Sequence, residues 1–269
     1  QSVLAYAGLV ASALLVMLPS LGAGFLQDDW TFLAVARHLQ DPTAFYFADQ
    51  SMVIYHRPHG MLSWWILVRA FGLHAPSHYV AQILLHAACA FALFLLLSRL
   101  SFHRVLAWAS ALVFAVHPAT VSAASWLSDR FDLMATLGVL LALAVAAGPR
   151  PSRPMALVSL ALASFLAAGS KETGLLAGPM VALLTLTRVD LRCRDRVCMV
   201  IAATVPALLW AISRTVLLGT EIGQVAESSL LGDFLKGSSH WLGWLPTAMA
   251  LDLGRTGAAA AALVVCLAL

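Results

Sequence analysis

The sequence predicts an all-α fold, a polytopic membrane helix bundle of about seven to eight spans in one domain over residues 1–269. Three observations predict it. The chain is 61% hydrophobic and 11% charged, with a mean hydropathy of +0.87, where a soluble domain carries about 25% charged residues. Uncharged apolar runs recur along its whole length. The arginines between them gather in short loops. A bilayer accepts that much apolar surface, whereas a soluble fold of this size has no way to hide it.

The uncharged runs are residues 3–21, 79–97, 105–127, 133–148, 155–169, 174–187 and 197–213, with a last one opening near Gly257. Residues 3–21 lack a basic flank and are long for a signal-peptide core, so they read as a retained first span. Several other runs fall below the roughly 20 residues a simple span needs. Short or tilted helices around a cavity are one explanation. A re-entrant hairpin over residues 155–187, with its charged centre, is another. The chain does not start with Met and ends in an apolar run, which reads as part of a longer protein.

Sidedness follows from the loops. Residues 98–104 hold Arg99 and Arg104, residues 149–154 hold Arg150 and Arg153, and residues 188–196 hold Arg188, Arg192, Arg194 and Arg196. The positive-inside rule places all three in the cytoplasm. The chain then crosses twice between consecutive loops. Residues 117–132 and Lys171–Glu172 fall on the opposite face, as do a first outer loop, 22–78, and a second, 219–255. Within the first, residues 28–40 suit a helix. Residues 60–71 suit an interfacial helix anchored by Trp64, Trp65 and Arg69. Residues 233–244 look similar, with Trp241 and Trp244 at headgroup level.

Charge and cysteine usage exclude other classes. The net charge is +3, and the basic residues sit in clusters between apolar runs rather than along one face, so nucleic acid is not a partner. Cys89 and Cys266 lie in apolar runs, and Cys193 and Cys198 form a C-x4-C without a second pair. That is neither a disulfide framework nor a zinc signature.

The unusual polar groups collect on the outer face. They are Asp28 and Asp29 after the first span, His56 and Arg57 before Pro58, and His86 in the second span. His117, Arg130 and Asp132 follow the third span, Lys171 and Glu172 lie between two short spans, and Arg214 sits near the outer end of the seventh. Ionisable groups at membrane depth are costly and face a cavity or a partner. Carboxylates there can act as a general base on a hydroxyl or bind a divalent cation, and the basic groups can neutralise a phosphate. The set suits group transfer from a lipid-linked phosphate. It equally suits proton relays in a transporter.

Five stretches in order carry a resemblance: GFLQDDW, YHRPHG, HYVAQILLHAACAFALF, VFAVHPATVSAASWLSDRFDL and SKETG, with echoes in LWAISRTVLLG and FLKGSSHWLGWLPTAMALD. Together they resemble the GT-C superfamily of polyprenol-phosphate-sugar-dependent glycosyltransferases, and within it the protein O-mannosyltransferases and the transmembrane TPR-containing O-mannosyltransferases. The likeness spans about residues 24–252. The segment from His117-Pro118 to Leu133 is its most specific part. Gln82 or a neighbour stands where the family often has Asn, and no TPR repeat occurs.

The resemblance implies roles. Asp28 would be the catalytic base or a ligand to a nearby metal, with Asp29 assisting. Arg130, Arg214 and Lys171 would hold the donor phosphate. Asp132, Glu172, His56, Arg57 and His117 would shape the pocket, and His86 would support the juxtamembrane helix. The implied enzyme is an inverting transferase of sugar from a polyprenyl phosphate to a hydroxyl of a protein or glycan. Its compartment would be the periplasmic face of a bacterial inner membrane or the lumenal face of the ER. A divalent metal is a possible cofactor. The alternatives are a transporter or flippase of a lipid-linked or small polar substrate, which tends to show inverted repeats, and a non-catalytic assembly subunit on the same scaffold.

The alternating topology is testable by labelling. In a cysteine-free background, a thiol at Ser152 should react with an impermeant maleimide only from the cytoplasmic face, and one at Thr173 only from the other. Reaction of both from one face would break the assignment.

Overall fold

The computed structural model describes residues 2–47, 56–149 and 151–218. The expectations for residues 219–255, for Trp241 and Trp244, for Arg150, for Cys266 and for the run near Gly257 lie outside the described residues. Eleven α-helices are described, with no strand among the described residues: α1 (Ser2–Met17), α2 (Asp28–His38), α3 (Ala44–Phe47), α4 (Pro58–Phe71), α5 (Ala75–Arg99), α6 (Arg104–Val116), α7 (Pro118–Ser125), α8 (Arg130–Ala146), α9 (Pro154–Ser170), α10 (Ala177–Thr187) and α11 (Cys193–Leu218). Cys89, Cys193 and Cys198 are free thiols.

Proline decides several boundaries. It pre-sets the first helical turn and pushes the residue before it towards extended backbone. The apolar run 105–127, read as one span, is therefore two helices: His117 turns extended at φ −68°, ψ 134° ahead of Pro118 and separates α6 from α7. Near Pro19 the first run likewise passes from α1 into a 3-10 turn, Leu18–Gly22.

Two stretches, Ala75–Arg99 and Cys193–Arg214, are long and apolar enough to cross a membrane by length and composition. The apolar helices Arg104–Val116 and Pro154–Ser170 are shorter; at 1.5 Å per residue a 17-residue helix reaches about 26 Å. Leu162, Leu183 and Leu209 are all at least 60% exposed, and Leu4, Val105, Met155 and Val216 are exposed as well. Large side chains thus cover the outside. Small ones fill the interior.

The interior between α8, α9, α10 and α11 is built from alanine: Ala142, Ala146, Ala163, Ala167, Ala177 and Ala203 pack with Leu160, Val181 and Met199. Lipid tails are as apolar as leucine, so close backbone approach replaces hydrophobic drive as the source of cohesion. At Gly138 a Cβ would sit 2.7 Å from both the Ala163 carbonyl oxygen and the Ala167 nitrogen. At Gly174 it would lie 2.0 Å from the Ala167 carbonyl oxygen.

The charged side chains divide between two ends of this bundle. At one end Arg99 donates to the Ala144 carbonyl at the close of α8. Arg188 donates to the carbonyls of Ala146 and Gly148, both at 3.1 Å, and pairs with Asp190. At the other end Lys171, after α9, pairs with Asp132 in the first turn of α8. Helix α9 therefore runs the full length of α8, and α10 returns to the Arg188 end after the turn at Glu172–Leu176.

Of the expected headgroup anchors of α4, one turns inward and the other two also bond within the protein. Trp64 is fully buried. The Trp65 indole and Arg69 both donate to the Leu39 carbonyl at 3.0 Å, clamping α4 to the end of α2.

Gly138→Ala should destabilise the fold by about 1–3 kcal/mol, the usual range for overpacking, because rigid backbone is what its methyl meets. Gly24→Ala, with nothing within 4 Å of its Cβ, should leave the thermal midpoint unchanged in the same detergent.

Candidate functional site

Helix α2 begins with two carboxylates that point different ways. Asp29 is fully buried. Its Oδ2 accepts the Leu26 N–H at 2.8 Å, reaching back over the helix start as a capping residue does, and its Oδ1 accepts the Ser128 hydroxyl. Asp28, one residue earlier, is exposed in the first turn. Gln27 before it adopts φ +31°, a region costly for a residue with a Cβ. Asp29 and this strained turn together hold Asp28 out at the surface.

Arg130 occupies the space beneath. Its exposure is 2%. Its Nε donates to Gln82 Oε1 and one Nη to the His78 carbonyl, both at 3.2 Å, and its guanidinium lies 4.6 Å over the Trp64 ring. The other Nη has no hydrogen-bond partner among the described residues. Arg130 was expected to hold a donor phosphate. Its burial places it instead among the groups that organise α2, α4 and α5.

Partly exposed cations lie at the same end. Arg57 donates through Nε and Nη2 to Glu172 Oε2 at 3.2 and 2.8 Å. Arg214 Nη2 reaches Glu172 Oε1 at 3.9 Å, so two guanidiniums share one carboxylate. Burial pushes the Glu172 carboxyl up, but the Arg57 hydrogen bond and charge, with the Arg214 charge, outweigh it and hold the group below its ordinary value. Lys171 and Asp132 form the neighbouring pair. The side chains of Arg57, Arg214, Lys171, Glu172 and Asp132 are 15–35% exposed, which leaves them reachable where Arg130 is not. With Asp129 beside them, three cations stand among three carboxylates, so an anion would be held by individual charge-assisted donors rather than by net charge.

Histidines wedge the same end. His56 is buried, stacks on Trp210 with centroids 6.1 Å apart, and lies 3.4 Å from the Ser213 hydroxyl. Arg214 leans over the same Trp210 ring at 5.8 Å. His59 packs where Gly169 lacks a side chain, since a Cβ there would come within 2.2 Å of the ring. Its Nδ1 lies 3.3 Å from the Leu166 carbonyl oxygen, which can only accept, so Nδ1 carries the proton. Gly60 similarly receives the Phe131 ring, 1.9 Å from where its Cβ would stand.

The fold thus gathers Asp28, Asp29, His56, Arg57, Arg130, Asp132, Lys171, Glu172 and Arg214 at one end. Two expected members lie elsewhere. His117 caps α7, its Nδ1 accepting the Ala119 N–H at 3.2 Å. His86 lies 3.1 Å from the Ala115 carbonyl and stacks on Phe114. It supports α6 rather than α4. His78, eight residues earlier, fills that place: it bonds the Gly72 carbonyl at 3.0 Å and packs 5.7 Å from Trp64.

One acid went unassigned in the sequence. Asp129 is half-buried beside this cluster. Burial raises its carboxyl pKa, Asp132 and Asp29 add to the rise, and Lys171 opposes it. Its spacing of three residues from Asp132 was the available signal, since i and i+3 share a helix face. No group of three or more His, Cys, Asp or Glu is arranged to hold a metal among the described residues, so Asp28 stands without a described set of co-ligands. No family model, curated protein or solved structure matches the chain.

Burial lowers the pKa of His56, with Arg214 and His59 adding to the fall, and lowers that of His59 against the opposing Leu166 carbonyl. Both histidines hold protons less tightly folded than unfolded, where the pKa is about 6.5. Their stabilising contribution is complete above that value and is lost as pH falls below it towards the folded pKa values. The thermal midpoint should therefore drop between pH 7 and pH 5. His56→Gln should shrink the drop; an equal drop in that variant would remove His56 from the account.

Proposed function

We propose that this chain is a multi-pass membrane glycosyltransferase of the GT-C type. It would move a sugar from a polyprenyl phosphate to a hydroxyl of a protein or glycan on the extracytoplasmic face. The observation that carries the reading is an exposed carboxylate, Asp28, held on a buried one, at the same end of the bundle as three partly open cations, Arg57, Lys171 and Arg214. The ordered motifs from GFLQDDW to SKETG add to it.

The chemistry is a single displacement. Asp28 takes the proton of the acceptor hydroxyl as its oxygen attacks the anomeric carbon. The bond from that carbon to the phosphate oxygen breaks, and the phosphate leaves with the electron pair. Inversion follows from one attack from the face opposite the leaving group. Arg214, Arg57 and Lys171 neutralise the departing charge, which favours the transition state over the neutral-acceptor ground state. Arg130 acts through position, by fixing α2 and α4 under the reacting groups.

The membrane reading rests on the exposed leucine and valine surface and on the two span-length helices. In it the shorter helices α1, α6, α8, α9 and α10 also cross, tilted or in a locally thinned bilayer. A transporter would use the same ionisable groups as a relay, so the two readings separate by experiment.

Asp28→Asn should cut sugar transfer from a polyprenyl-phosphate donor by about 10²–10⁴-fold, the range for losing a general base, with an unchanged melting profile. Full activity in that variant would remove Asp28 as the base. Proton-dependent uptake into vesicles without any sugar transfer would favour the transporter.

A further inference from the structure

The end of the bundle opposite the acidic one carries a cavity of about 510 Å³. Arg99, at the close of α5, and Arg153, just before α9, line it, with the Ser159 hydroxyl nearby. Val145, Met155 and Ala156 form its apolar wall. Arg153 is exposed, and no ion pair or side-chain hydrogen bond engages it among the described residues. Arg99 uses one Nη on the Ala144 carbonyl, which fixes its guanidinium at the rim. Both charges come from different elements and meet over one hollow.

We infer that this cavity binds the headgroup of an anionic phospholipid. Two guanidiniums supply charge-assisted donors for a phosphodiester. The apolar wall continues onto the exposed faces of Met155 and Val158 on α9, where an acyl chain can lie beside the helix. The first N–H groups of α9 open beside Arg153 and add to the preference for negative charge. A zwitterionic headgroup would bring an ammonium against the same two arginines and lose most of that gain. The site lies at the end of the bundle away from Asp28, so it is separate from the proposed sugar-transfer groups and rests on membrane embedding alone.

The test uses the full chain in neutral detergent micelles, titrated with dioctanoyl phosphatidylglycerol, dioctanoyl phosphatidylcholine and inorganic phosphate, with retained ligand read by native mass spectrometry. Saturable binding of the phosphatidylglycerol alone is expected. One basic residue near an anionic lipid is worth about a fivefold change, so Arg153→Gln should weaken binding about fivefold, and Ala156→Trp should block the hollow. Asp28→Asn should bind the lipid as the native chain does, which separates this result from the fate of the glycosyltransferase reading. Equal retention of phosphatidylcholine, equal saturation by inorganic phosphate, or an equal loss in Arg194→Gln, which lies in the first turn of α11, would each overturn the site.

Discussion

A buried guanidinium organises the end of this bundle where α2, α4 and α5 meet. Removing an arginine from water costs several kcal/mol unless the surroundings replace hydration. Arg130 receives that replacement from three sources: the Gln82 and His78 oxygens on α5, the Trp64 face on α4, and the nearby charge of Asp29 on α2. Each partner is a constraint on a different helix. Turning the charge away from any one of them leaves it under-solvated in an apolar interior. The position of α2 and α4 against the membrane-length helix α5 therefore follows from where Arg130 has to be.

That constraint separates structural charge from usable charge. Asp29 and Arg130 spend their bonding inside and keep little contact with solvent. Asp28, Arg57, Lys171, Glu172 and Arg214 stay at least partly open. Glu172 holds two arginines by two different oxygens, at 2.8 and 3.9 Å. The looser contact is the one an incoming anion can take over at small cost, because Arg214 also leans on Trp210. Glycine makes the arrangement compact: Gly60 and Gly169 each give their Cβ space to a ring, Phe131 and His59.

Much of this was legible in the sequence for simple reasons. Helix termini follow proline and charge, so α4, α5 and α9 appear close to where the apolar runs lie. Sorting the arginine-rich loops from the acid-bearing ones assigned Asp132, Lys171 and Glu172 to one end before any contact was known. Burial was not legible. Nothing in a string separates Arg130, enclosed by Trp64, from Arg214, which is not, because the difference depends on residues 66 positions away. The same holds for His78 and His86. Both sit on α5 eight residues apart, and only packing decides that the first meets α4 and the second meets α6. Asp129 stands in the same motif as Arg130 and Asp132 but carried no role, because its perturbation comes from neighbours rather than from the motif itself.

The bonds that complete the acidic end join distant parts of the chain. Asp29 finds Ser128 only 99 residues later, and Arg57 finds Glu172 only 115 residues later. At a synthesis rate of about 5–20 residues per second, the segment between α1 and α5 waits roughly 5–25 seconds for these partners. Over that interval its carboxylates and arginines lack their protein partners, with α2 and α4 undocked. The N-terminal part of the chain is made first and finished last. Quality control that senses unpaired polar groups in this segment would thus be reading the arrival of α8 and α9, some hundred residues downstream.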